Sequence, residues 1–73
     1  MDNIKQQKIE MWSKKLIDLE KELEAIMIRK GEAAAEGDLS ENAAYKMAIE
    51  DADTYRARIA EVKKILSDLE AGD

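Results

Sequence analysis

Apolar residues recur along the chain at alternating spacings of three and four, in two series separated by a short polar segment. This period places the apolar side chains of each series on one stripe of an α-helix. The first series consists of Ile9, Trp12, Leu16, Leu19, Leu23, Ile26, Lys30 and Ala33. The second consists of Tyr45, Ala48, Ala52, Tyr55, Ile59, Val62, Leu66 and Leu69. The pattern predicts two helices, over about residues 3–35 and 41–70.

The segment between the two series carries the signals of a chain reversal. Gly37 suits the left-handed residue that closes a helix, and Asp38 or Ser40 suits the N-cap of the next one. If the chain turns here, the stripes face each other, and the residue numbers of every facing pair add to the same total. We therefore predict an all-α fold, an antiparallel two-helix coiled-coil hairpin with an acidic tip loop at 36–41. At 1.5 Å per residue the hairpin would be roughly 45 to 50 Å long.

Composition removes most kinds of active site from consideration. The 73 residues include no histidine and no cysteine, which excludes an imidazole base, a thiolate nucleophile and a Cys/His zinc site. The 12 basic and 17 acidic residues give a net charge of −5, which favours a protein partner or a cation over bare nucleic acid. Apolar runs fall far short of the ~20 residues of a membrane span, and no signal segment follows Met1. We expect a soluble, cytoplasmic protein with no membrane partner.

A second set of apolar residues lies outside the predicted seam. Its members are Ile17, Met27, Ile28, Met47 and Ile49. Because a two-helix seam buries only one stripe of each helix, a monomer would be marginally stable. One interpretation is self-association into a homodimeric bundle. The other is that the four members nearest the tip, Met27, Ile28, Met47 and Ile49, contact a different protein.

Asp38 and Glu41 stand three residues apart at the predicted turn. One interpretation is a capping box, with Asp38 as N-cap and Glu41 at the third helical position. The other starts from charge, because residues 36–53 hold six acids and one base, Lys46. Mg²⁺ is usually shared between one or two carboxylates and other ligands. An acidic point at the end of a narrow rod could present Asp38 and Glu41 to such an ion in a partner's active site.

The turn also carries a recognisable motif. Residues 37–45, Gly-Asp-Leu-Ser-Glu-Asn-Ala-Ala-Tyr, closely resemble the tip signature GDLxENAxY of the bacterial Gre transcript-cleavage factors. The flanking segments at 32–36 and 58–61 are also similar to that family. The resemblance covers nearly the whole chain and corresponds to the N-terminal coiled-coil domain of a Gre factor.

The resemblance implies a transcription elongation factor that enters the secondary channel of a backtracked bacterial RNA polymerase. Asp38 and Glu41 would help hold a Mg²⁺ ion shared with the polymerase, which would hydrolyse the extruded RNA 3′ end at its own active site. The chain itself would be no enzyme, and no cofactor would be stably bound to it. The resemblance also associates it with DNA binding and with regulation of DNA-templated transcription elongation. Residues expected to form or support the tip are Gly37, Leu39, Ser40, Asn42 and Tyr45.

Two departures from the family pattern leave alternatives open. Gre factors carry a second, FKBP-like domain, whereas this chain ends at Asp73, so we expect a single domain over 1–73, either a shortened piece or a naturally short relative. The positions aligned with RNA-facing arginines hold Ala34 and Ile49. The bases that could substitute for those arginines are Arg29, Lys30 and Lys46. Alternatively, these three side chains are only solvated charges on the helix faces. A channel-occupying regulator without efficient cleavage and a plain coiled-coil oligomerisation module remain alternatives.

Overall fold

Two long helices account for nearly all of the described chain. A computed structural model describes residues 3–38 and 41–72. Helix α1 spans Asn3–Ala34 and helix α2 spans Ala43–Ala71, with no strand in either described range. Residues 35–41, between α1 and the residue that caps α2, are called the tip loop below. The two helices pack along their length, so the predicted all-α hairpin is confirmed.

The core is a single seam between the helices. Within residues 3–38 and 41–72, every buried residue belongs to one of the two predicted stripes; these residues are Leu19, Ile26, Ala33, Ala48, Ala52, Ile59 and Val62. The remaining stripe positions are all half-buried. Predicted facing partners share a cluster, since Leu19 packs with Ile59 and Ile26 packs with Ala52. The alternating spacing thus identified the buried face of both helices.

The seam changes character along its length. We call the end of the hairpin opposite the tip loop the open end. Toward it, large half-buried side chains, Trp12 and Leu66 among them, pack against the cluster of Leu19, Ile59 and Val62. Toward the tip, three of the buried residues are alanines. Because burial free energy scales with apolar area, layers filled by alanine contribute less than layers filled by leucine or isoleucine. The tip-proximal half is therefore the more weakly packed part of the hairpin.

The molecule is a narrow rod with extents of 58 × 14 × 12 Å. The 32 residues of α1 account for about 48 Å of this length at 1.5 Å per residue. The rod is therefore longer than predicted, because the predicted length counted helical residues alone. Neither described helix has an apolar stretch long enough to cross a membrane.

The helix boundaries differ slightly from those predicted. Helix α1 ends one residue early, and α2 begins at Ala43, two residues later than expected, because Asn42 caps it. At the open end, Lys5 Nζ donates to the Gly72 carbonyl at 2.6 Å, while the Gly72 amide donates to the Asp68 carbonyl at 2.9 Å. The Lys5–Gly72 bond, which was not predicted from the sequence, joins the two ends of the described chain, and the Gly72–Asp68 bond closes the C-terminus of α2.

Candidate functional site

The end of α1 sets the direction of the tip loop. The Ala35 amide donates to the Gly31 carbonyl at 3.2 Å, and the Glu36 amide donates to the Ala33 carbonyl at 3.1 Å. Gly37 then adopts φ +126°, a conformation that L side chains rarely take. The chain therefore leaves the helix direction at Gly37, as the sequence predicted, and Asp38 follows at once.

Asn42 is the N-cap of α2. Its backbone is extended, at φ −91° and ψ 97°, and its Oδ1 accepts from the Tyr45 amide at 3.1 Å. This bond satisfies one of the amides that the first turn of a helix leaves without an intrahelical partner. Asp38 is therefore not the N-cap of α2, as the predicted capping box required, because Asn42 holds that position and Glu41 precedes it. The other predicted cap, Ser40, lies outside the described residues, as does Leu39.

The same Asn42 side chain also reaches the other helix. Its Nδ2 donates to the Ala33 carbonyl at 2.7 Å, and this carbonyl accepts from the Glu36 amide as well. One carboxamide therefore satisfies an amide of α2 that has no intrahelical partner and gives the Ala33 carbonyl of α1 a second donor. We call these two bonds, to Ala33 and Tyr45, the amide clamp; they close the neck of the tip loop. The sequence analysis named Asn42 only as a support of the turn, although Asn is as good an N-cap as Asp or Ser.

The two tip acids lie between these anchor points. Asp38 and Glu41 are both exposed, and both lie in the tip loop before the N-cap of α2. The described residues contain no group of three or more Asp, Glu, His or Cys side chains able to hold a metal ion. Two carboxylates are nevertheless hard oxygen donors, which suits a Mg²⁺ ion whose other ligands come from elsewhere.

A polar layer lies directly beneath the tip. Tyr45 is half-buried, and Lys30 Nζ lies 5.9 Å from the centroid of its ring, a cation–π distance. Arg29 Nη2 lies 3.4 Å from Asp51 Oδ2 on the other helix. Two of the three bases considered for RNA contact are thus engaged with α2, while Lys46 is exposed.

The apolar partner-contact candidates differ in exposure. Ile28 and Met47 are 57% and 61% exposed, which fits the predicted second surface. Met27 is less open, and its Sδ lies 3.5 Å from Arg56 Nη2. Ile49 is half-buried, so it offers less contact area than predicted, because it lies beside the seam.

The comparisons with known proteins agree with this geometry. A family model described as "Transcription elongation factor, N-terminal", the model of the GreA and GreB N-terminal domain, matches residues 4–70. The chain belongs to this family. The match runs through both helices and the tip, so the resemblance drawn from the tip motif is confirmed. Searches of curated proteins and of solved structures gave no significant match.

Membership defines the general role of the domain. It is a transcription elongation factor domain that interacts with RNA polymerase. Domains of this family are accessory to the polymerase, which accords with a sequence that has no histidine or cysteine.

Proposed function

We propose that this Gre-family domain stimulates Mg²⁺-dependent cleavage of backtracked RNA by bacterial RNA polymerase. It would enter the secondary channel tip first and bring Asp38 and Glu41 to the polymerase active site. The observation that carries the proposal is the position of these two exposed acids, in the loop at the end of a rod only 14 × 12 Å across. A rod of these dimensions can carry carboxylates into a deep, narrow channel.

The domain's own contribution would be limited to ligands and orientation. Asp38 and Glu41 offer carboxylate oxygens that can hold one face of a Mg²⁺ ion and accept hydrogen bonds from an attacking water. When bound, Mg²⁺ would supply Lewis-acid stabilisation of the phosphodiester oxygens during hydrolysis at the RNA 3′ end. The described tip holds too few ligands to do this alone, so the remaining ligands must come from the polymerase.

The test is RNA cleavage in a stalled, backtracked polymerase complex with Mg²⁺. Wild-type protein should accelerate cleavage, whereas Asp38→Asn and Glu41→Gln, which preserve shape and remove charge, should each lose most of the acceleration. Glu36→Gln is the matched control, because Glu36 is an exposed acid of the same loop outside the signature. The proposal fails if wild-type protein gives no acceleration, or if Glu36→Gln is as defective as the other two.

A second candidate function is occupancy of the channel without efficient cleavage. It is favoured by the engagement of Arg29 and Lys30 with α2, since Ala34 and Ile49 already stand where the resemblance expects RNA-facing arginines. In that case the protein would bind polymerase and slow nucleotide addition. Neither effect would change in Asp38→Asn, so the same set of variants separates the two functions.

A further inference from the structure

We infer that Asn42 is a positioning residue for the tip acids, acting through the amide clamp. This inference rests on the proposed function, because it concerns how Asp38 and Glu41 are presented to the polymerase. It adds a role that capping alone does not require: the Asn42 side chain fixes the tip loop relative to the rod.

The first support is that burial does not hold the described residues of the loop in place. Every described residue of the tip loop, 35–38 and 41, is exposed. An exposed loop without packed side chains is free to move unless hydrogen bonds restrain it. Hydrogen bonds at the neck of the loop supply such a restraint, since the Ala33 carbonyl accepts from both the Glu36 amide and Asn42 Nδ2.

The second support is the short distance along the chain from each acid to an anchored residue. Glu41 immediately precedes Asn42 in the chain. Asp38 follows Gly37, whose φ of +126° sets the direction of the chain after the Glu36 hydrogen bond. Asp38 thus lies two residues from Glu36, and Glu41 lies one residue from Asn42. Both Glu36 and Asn42 donate a hydrogen bond to the Ala33 carbonyl. A change at the clamp would reach both acids, because both ends of the loop meet at the Ala33 carbonyl.

The third support is the choice of side chain. Aspartate and serine cap helices about as well as asparagine. An aspartate at this position would place a carboxylate oxygen, which cannot donate, beside the Ala33 carbonyl. A serine hydroxyl offers a single atom for two partners that lie on different helices. Among these three side chains, only the carboxamide of asparagine combines an acceptor for the Tyr45 amide with a separate donor for the Ala33 carbonyl. Substitution by aspartate or serine should therefore keep the capping bond to Tyr45 and remove the bond to Ala33.

Positioning matters because Mg²⁺ requires near-ideal octahedral geometry. A loop that samples many positions spends less time with both carboxylates in place, and so needs more Mg²⁺ for the same occupancy. Loss of the clamp should therefore raise the Mg²⁺ concentration that gives half-maximal stimulated cleavage, with a smaller effect on the rate at saturating Mg²⁺.

The experiment compares wild type with Asn42→Asp and Asn42→Ser, both of which retain a capping acceptor for Tyr45. Cleavage in the backtracked complex is measured across a Mg²⁺ series, corrected for the rate without factor, alongside competition for polymerase and thermal unfolding. We expect unfolding and competition close to wild type and a half-maximal Mg²⁺ concentration raised about threefold to tenfold. Because Asn42→Ser adds no charge, a shift shared by both variants excludes the new carboxylate as its cause.

A measurement on the free protein tests the clamp independently of cleavage. Backbone ¹⁵N relaxation should show increased motion at residues 35–38 and 41 in both variants, with the Tyr45 amide still protected from exchange. Unchanged loop motion, or an unchanged Mg²⁺ dependence, overturns the inference. So does loss of folding or of competition in both variants, which would make Asn42 purely structural. If wild-type protein fails to stimulate cleavage, the proposed function is lost, and the relaxation data alone decide whether the clamp restrains the loop.

Discussion

Replacing Leu19 by alanine tests whether the seam is what stabilises the folded hairpin. Leu19 is 6% exposed and lies in the cluster with Ile59 and Val62, the most heavily packed part of the rod. Leu19→Ala removes a buried isobutyl group from α1 and leaves a gap against α2. The substitution keeps a strong helix former at the position, so its effect reports on packing rather than on helix propensity.

The expected loss lies near the low end of the range for buried leucines. Such substitutions cost 2–5 kcal/mol, depending on how far the surroundings collapse into the space. A two-helix seam has solvent on both sides and can close more readily than a globular core, so we expect about 2 to 3 kcal/mol. For a domain of this size that corresponds to a melting temperature lower by roughly 10 to 20 °C.

Thermal unfolding followed by circular dichroism at 222 nm measures the effect, repeated at several protein concentrations. Ile17→Ala is the matched control, since Ile17 lies on the same helix but is 51% exposed. It should cost less than 0.5 kcal/mol in a monomer. An Ile17→Ala loss equal to that of Leu19→Ala, together with a melting temperature that rises with concentration, would refute the reasoning. It would show that a homodimer buries the outer face as well.

Three further sets of substitutions follow from local geometry, each measurable by the same unfolding assay. Gly31→Ala should stabilise by about 0.5 to 1 kcal/mol, because an added Cβ meets no atom within 4 Å, whereas Gly37→Ala should cost about 1 to 3 kcal/mol because φ is +126°. Ala52→Leu should cost about 1 to 3 kcal/mol by overpacking a site that is 1% exposed, while Ala60→Leu on the solvent side should be nearly neutral. Arg29→Gln should cost less than about 1 kcal/mol, and the loss should disappear in 1 M salt because its ion pair is exposed. The corresponding argument would be contradicted if Gly31→Ala lowered stability, if Ala52→Leu left stability unchanged, or if the stability loss in Arg29→Gln did not depend on salt.

The sequence was sufficient for the seam because helical periodicity and burial are directly linked. A helix that packs against one neighbour buries one stripe, and the alternating spacing marks that stripe without further information. The register followed from the turn, since Gly37 fixed where the chain reverses and thereby which residues face each other. The pairing of Ile26 with Ala52 needed no additional assumption.

The tip was less predictable because its hydrogen bonds cross between helices. Local capping rules rank Asp38, Ser40 and Asn42 almost equally, and they take no account of the Ala33 carbonyl on the neighbouring helix. That carbonyl is paired with Asn42 in the folded protein. The Arg29–Asp51 pair was missed for the same reason, because a flanking position in a heptad allows several partners and only the three-dimensional register selects one.

The distribution of packing along the rod bears on how the tip can act. The large buried side chains lie toward the open end, whereas the tip-proximal seam is built mainly from alanines and a lysine–tyrosine contact. Global unfolding should therefore be governed mostly by the Leu19 cluster, whereas the amide clamp acts at the neck of the tip loop. Because these regions lie far apart on a narrow rod, substitutions in one should leave the other nearly unchanged. Loss of tip function without loss of helical stability is accordingly the expected phenotype of variants at Asn42, Asp38 and Glu41.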